Sequence, residues 1–274
     1  MESTTTFEHP FDNATELTPV GAGAYLGRTA PEYSNMVGPF GGITAATMLR
    51  AVLDDPRLVG SPLSITVNFA GPVATGAFTI DADPVRTNRS TQHWTVTMSQ
   101  DDAVVTTATV VTAVRRETWS DTEITPPAAP APDTVEAAVM PEFPAWLGNY
   151  EMRFVEGGIA FDADSTAAPT STTTLWVRDT PTRPLDHLSL TAMSDIFFPR
   201  IMLRLGHMVP AGTVSFTVYF HTDTTQFPTN PADFVLATAR AQHFGNGFFD
   251  QSAHLWTAGG TPLATSHQVV YFKA

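Results

Sequence analysis

LSITVNF at Leu63–Phe69 returns as VSFTVYF at Val214–Phe220, with Ser, Thr, Val and Phe kept in register. In the first copy Leu63, Ile65, Val67 and Phe69 alternate with Ser64, Thr66 and Asn68, the period of a half-buried strand. Each copy is preceded by a helical pattern and followed by a Phe-led strand, a second strand, a short turn and a closing strand. The closing pair repeats the match: AVVTTATVV (Ala103–Val111) stands against TPLATSHQVV (Thr261–Val270), with Gly259-Gly260 where the first copy has Asp101-Asp102. An internal duplication of about 115–125 residues explains this order, each copy a helix laid against an antiparallel sheet. The predicted organisation is α+β: a first copy over residues 1–116, a proline- and alanine-rich linker over 117–145, and a second copy over 146–274, the two copies packed as a pseudo-dimer.

Within the first copy, residues 1–14 read as a polar lead-in and Glu16–Tyr33 as a short hairpin turning at Gly21-Ala22-Gly23. Gly21, Gly23 and Gly27 have the wrong spacing for a dinucleotide loop, and no helix follows them directly. Gly38, Gly41 and Gly42 lead into a helix over about Ile43–Leu53, and the free N–H groups of such an entrance suit an oxyanion or a phosphate. Further strands are expected over about Ala77–Arg86, Gln92–Gln100 and Ala103–Val114. The linker carries Pro126, Pro127, Pro130, Pro132, Pro141 and Pro144 and reads as extended chain. Beyond it, Tyr150–Val155 and Thr172–Val177 are predicted strands.

The second helical stretch, Leu185–Leu205, has Asp186 as N-cap. Leu188, Ala192, Asp195, Ile196, Pro199, Met202 and Leu203 recur on one face. Asp195 is the anomaly there. A carboxylate in an apolar stripe loses hydration, so it is paired, protonated or used chemically.

The chain has 274 residues, 43% of them hydrophobic, no cysteine, a net charge of −13, and Lys273 as its only lysine. That charge argues against nucleic acid and anionic membrane as partners. The absent thiols remove cysteine nucleophiles and cysteine metal sites. No apolar run approaches the ~18 residues of a membrane span, and MESTTTFEHP lacks the features of a secretory signal, so a cytoplasmic protein is expected.

GPFGGITAATMLRA, PLSITVNFAGPV, SDIFFP, TVSFTVYFH and LATSHQVV, in that order and spacing, resemble the acyl-CoA thioesterase II (TesB-type) family, a double-hotdog architecture. The resemblance spans nearly the whole chain except the linker. It implies hydrolysis of acyl-CoA thioesters without a metal, another cofactor or a covalent intermediate, by an Asp, a Thr and a Gln that hold a water. Carried onto this chain, they are Asp195, Thr213 and Gln268. It also implies a homo-oligomer, since hotdog surfaces commonly pair further.

The residues allow the same chemistry on their own terms. Thioester hydrolysis needs a nucleophile, a proton acceptor and donors for the oxyanion. With no Cys, no G-x-S-x-G elbow and no H-E-x-x-H pair, water activated by a carboxylate remains. Gln268 shares a predicted strand face with Ala264, Val270 and Phe272, so its amide is aimed at an apolar side. The first copy offers Val110 opposite Gln268, Pro62 opposite Thr213 and roughly Thr44 opposite Asp195, so the polar trio occurs once. Oxyanion donors are expected from the backbone at Gly41 and Gly42. For the CoA phosphates the sequence offers Arg86 and Arg89, although an exposed arginine pair is ordinarily plain surface. Two alternatives stay open: a hotdog hydratase or dehydratase using an Asp/His pair, with His221 as the histidine, and a non-catalytic acyl-binding or scaffold protein.

Overall fold

A computed structural model describes residues 9–159 and 166–273. After a short helix α1 (Pro10–Ala14), the first copy is built from β1 (Thr18–Gly21), β2 (Ala24–Arg28), helix α2 (Gly41–Leu53), β3 (Ser61–Phe69), β4 (Ala77–Thr87), β5 (Thr91–Gln100) and β6 (Ala103–Ala113). The second has β7 (Tyr150–Glu156), β8 (Thr173–Asp179), helices α3 (His187–Met193) and α4 (Arg200–Leu205), and β9 (Ala211–Phe220). It ends with β10 (Val235–Arg240), the two-residue β11 (Phe244–Gly245), β12 (Phe248–Thr257) and β13 (Pro262–Phe272). One antiparallel sheet runs β1-β2-β4-β5-β6-β3-β9-β13-β12-β10-β8-β7, with β11 paired to β12. The order reads the same from either end once the copies are matched, so a pseudo-twofold axis lies between β3 and β9. It passes through Thr66 and Thr217, which face each other in the ladder with hydroxyls 3.0 Å apart. These are the two helix-on-sheet copies that the repeat predicts, in the double-hotdog arrangement that the family resemblance implies.

The core lies between this curved sheet and the central helices. Ile65 and Val67 from β3 and Phe216 and Val218 from β9 face inward and are fully buried against α2 and α3. Alanines and glycines let α2 and α3 approach closely. A Cβ on Gly42 would sit 2.7 Å from the Ala192 carbonyl oxygen.

Three expectations are corrected. Strict alternation along Leu63–Phe69 fails at its start, because Leu63 is bulged out of the β3–β6 ladder and exposed, and Pro62 turns inward in its place. Val214, its counterpart in β9, is bulged in the same way. The stretch Leu185–Leu205 is two helices. α3 opens on an Asp186–Ser189 capping box and stops at Ser194, because Pro199 lacks an N–H and its ring disfavours helical geometry at Phe198. The lead-in is not wholly polar chain: Phe11 in α1 is buried, with the Arg183 guanidinium 4.7 Å above its ring. The linker packs. Ala129 and Val135 lie against Trp176, Leu236 and Trp256 on the outer face of the second copy, and the Trp176 Nε1–H donates to the Pro130 carbonyl at 2.9 Å. Among the described residues no helix is long and apolar enough to cross a membrane.

Candidate active site

The break after α3 delivers Asp195 to the site. Beyond the last helical turn the backbone N–H of Asp195 still donates to Ala192 O at 3.0 Å, and the chain then bends away. Two inward residues of β13 hold this bend. The Ser266 hydroxyl donates to the Ser194 carbonyl at 3.2 Å, and Gln268 Nε2 donates to Asp195 Oδ1 at 2.7 Å. Residues two apart on a strand share a face, so one strand clamps two consecutive residues of the turn. Below the break, the fully buried Arg200 anchors the chain. Its Nε donates to the Phe198 carbonyl at 2.9 Å and its Nη1 to Thr173 Oγ1 at 2.6 Å. Burial pushes its guanidinium down to about 9, which leaves it cationic at neutral pH.

Thr213 reaches this group through the β9 bulge. With Val214 extruded, Thr213 turns to the inner face, and its Oγ1 donates to Gln268 Oε1 at 3.2 Å. The trio is therefore a chain, Thr213 to Gln268 to Asp195. Gln268 is buried and is not among the cavity walls; its amide links the hydroxyl to the carboxylate. Gln251, buried and directly across from Gln268 on β12, is a further inward polar side chain, which strand periodicity alone does not mark as functional.

The first copy contributes the entrance of α2. The Gly42 backbone N–H donates to the Asp195 carboxylate. Gly41 is bare at the contact: a Cβ there would lie 2.7 Å from Asp195 Oδ2. Of the two glycines expected to serve an oxyanion, Gly42 thus spends its N–H on the carboxylate, while Gly41 lines the cavity. Burial pushes Asp195 up to about 7, and the donors from Gln268 and Gly42 hold it below where burial alone would leave it.

Asp195, Thr213 and Gly41 open onto a cavity of about 570 Å³. Its remaining walls are largely apolar, with Phe69, Phe197 and Phe198 prominent, and among the described residues Asp195 is the only ionisable one that lines it. The linker supplies Phe143, and Trp146 at the start of the second copy stacks on Phe40 at 4.3 Å between ring centroids and 7° between planes. The mouth is apolar as well, where Met36, Val37, Phe143 and Met208 are all more than half exposed.

Other expected residues lie elsewhere. Arg86 and Arg89 sit exposed at the β4–β5 hairpin, with Arg86 Nε donating to Asn88 Oδ1 at 3.0 Å, and neither borders the cavity. His221 bonds Thr265 Oγ1 at 3.1 Å and does not border it either. α2 runs unbroken from Gly41 to Leu53, whereas α3 of the second copy ends just before Asp195. Val110 takes the same ladder position against Ile65 that Gln268 takes against Phe216.

Two family models match the sequence, one described as the acyl-CoA thioesterase N-terminal domain over residues 30–113 and the other as its C-terminal domain over residues 123–272. A protein of unknown function with a hot dog fold from Alicyclobacillus acidocaldarius is 48% identical over 97% of this chain and 99% of its own, with a TM-score of 0.91. An acyl-CoA thioesterase II from Mycobacterium marinum is 17% identical over 96% of this chain and 98% of its own, with a TM-score of 0.74. The dehydratase domain of PpsC from Mycobacterium tuberculosis is 14% identical over 97% and 99%, with a TM-score of 0.54; these last two show the fold alone. No curated protein matches.

Proposed function

The chain belongs to the acyl-CoA thioesterase family, and from that premise we propose that it hydrolyses acyl-CoA with a water that Asp195 activates and that Thr213 and Gln268 help to position. One observation carries this reading: among the described residues the only ionisable group on an apolar cavity is a carboxylate whose proton affinity sits near neutrality and which Gln268 and Gly42 hold by donating to it, with Thr213 donating in turn to Gln268. A general base works best with a pKa near the working pH. As the water oxygen bonds to the thioester carbonyl carbon, Asp195 takes one of its protons. The carbonyl oxygen becomes an oxyanion, for which the Gly41 N–H at the start of α2 is the available donor, favoured by the positive end of the helix. When the intermediate collapses the C–S bond breaks, and the proton on Asp195 passes to the CoA sulfur. The products are a free acid and a thiol. Gln268 acts through Asp195 as a positioning residue, and Thr213 orients Gln268 and presents its oxygen to the cavity.

A hydratase reading needs a second acid–base group beside the carboxylate, and no histidine borders the cavity. The test is a panel of acyl-CoAs followed with a thiol reagent, with an enoyl-CoA monitored for hydration in parallel. Release of free CoA is expected. Hydration without thiol release would replace this reading.

A further inference from the structure

We infer that the acyl tail of a long substrate leaves the catalytic cavity past Thr44, runs beneath α2 into the first copy and emerges at a second opening, with the Phe78 ring as its gate. This rests on the thioesterase reading. Three spaces lie in series. The catalytic cavity shares Pro39, Thr44 and Val73 with a neck of about 10 Å³. The neck in turn shares Arg28, Thr29 and Ala30 with a surface groove of about 430 Å³. Ile43, Val73, Phe78 and Met98 make the inner part of the neck apolar, with Arg28 and Thr29 at its groove end, and the Thr47 hydroxyl there is spent on the Ile43 carbonyl at 2.8 Å. Such a wall passes an alkyl chain and rejects the charged CoA portion.

The neck is about the size of one water, so a chain passes only if a side chain moves. Ile43, Thr47 and Val73 are β-branched and stiff. Phe78 and Met98 remain. Phe78 stands opposite Gly27 in the β2–β4 ladder, and its ring fills the place of the missing side chain: a Cβ on Gly27 would lie 2.3 and 2.5 Å from two ring carbons. Phe78 lines the neck and Gly27 the groove, so this ring is the partition between them. Met98, buried beside it, is the unbranched side chain able to yield.

The experiment measures kcat/KM for straight-chain acyl-CoAs from butanoyl to octadecanoyl in the parent, Phe78→Ala and Met98→Ala. It is paired with calorimetric binding of octadecanoate, which needs no turnover. Opening the partition should raise the octadecanoyl-to-butanoyl ratio about tenfold or more, the scale on which a hydrophobic pocket discriminates alkyl length. Octadecanoate should bind more tightly by a similar factor. Adding Ala30→Trp at the groove to Phe78→Ala should reverse both gains. The Met98 variant keeps the test alive if Phe78→Ala does not fold. A parent that releases no CoA from any thioester would sink the thioesterase reading, while binding would still decide on the channel. Ratios and affinities within twofold of the parent in either folded variant would overturn this inference.

Discussion

At the scale of one residue, Asp195 has opposite demands placed on it. It must be ionised to act as a base, yet burial favours its proton and pushes it up to about 7 from the ordinary carboxylate value of 3.8. Turnover should therefore rise with pH through about 7 and level off above, read from kcat/KM against pH. Stability runs the other way. Between about 4 and 7 the unfolded chain has lost this proton while the folded chain keeps it, so the group's contribution falls as pH rises through that window. The whole difference is at most about 4 kcal/mol, and water in the cavity reduces it. Asp195→Asn removes the burden. A half-turn of the Gln268 amide would let its oxygen accept from the new amide while Thr213 accepts from its nitrogen. The melting temperature of this variant at pH 8 should equal or exceed the parent's, by calorimetry. Gly41→Ala is the complementary probe. Alanine favours helix by up to about 1 kcal/mol, but its methyl would press on the carboxylate at 2.7 Å. Activity should fall about 10- to 100-fold in a protein that melts no lower.

At the scale of elements, strand periodicity and the repeated heptads were legible because each strand has one face toward the core. Gln268 was legible as a polar side chain on an inward face. Thr213 was reached through the family resemblance, since strict alternation places it on the face opposite Phe216 and the Val214 bulge reverses that. Bulges come from ladder geometry that a single strand's pattern does not contain. The helix break was written in Pro199, but the apolar spacing runs straight through it, because the turn stays buried. The linker's prolines suit the extended chain that was read there, and only the surface around Trp176 shows that this chain is held down. The matched positions Gln268 and Val110 separate chemistry from packing. Gln268→Ala removes a donor that lowers Asp195, so turnover should fall about tenfold and the pH midpoint should move above the parent's. Val110→Ala should lose about 2 kcal/mol in denaturant unfolding and keep near-parent turnover and midpoint. An unmoved midpoint in Gln268→Ala would argue against the positioning role.

At the scale of the molecule, the duplication makes one sheet with a pseudo-twofold axis at Thr66 and Thr217, and the two copies then divide the work. The second supplies the carboxylate, its clamp and Thr213. The first supplies the α2 entrance and the neck beside it, and Phe143 of the linker and Trp146 of the second copy line the mouth. The outer sheet face also carries Tyr219, Val269 and Tyr271, each more than a third exposed. Light scattering is expected to give a mass above the 29.5 kDa of one chain, and a clean monomer would count against further pairing of that face. Because only one copy carries the polar trio, a single substitution should silence the whole chain. The most direct measurement is CoA release by Asp195→Asn, with folding checked by the same melting curve as the parent. Turnover is expected to fall about 10²–10⁴-fold with the fold intact, whereas a well-folded variant as active as the parent would contradict the assignment of Asp195 as the base.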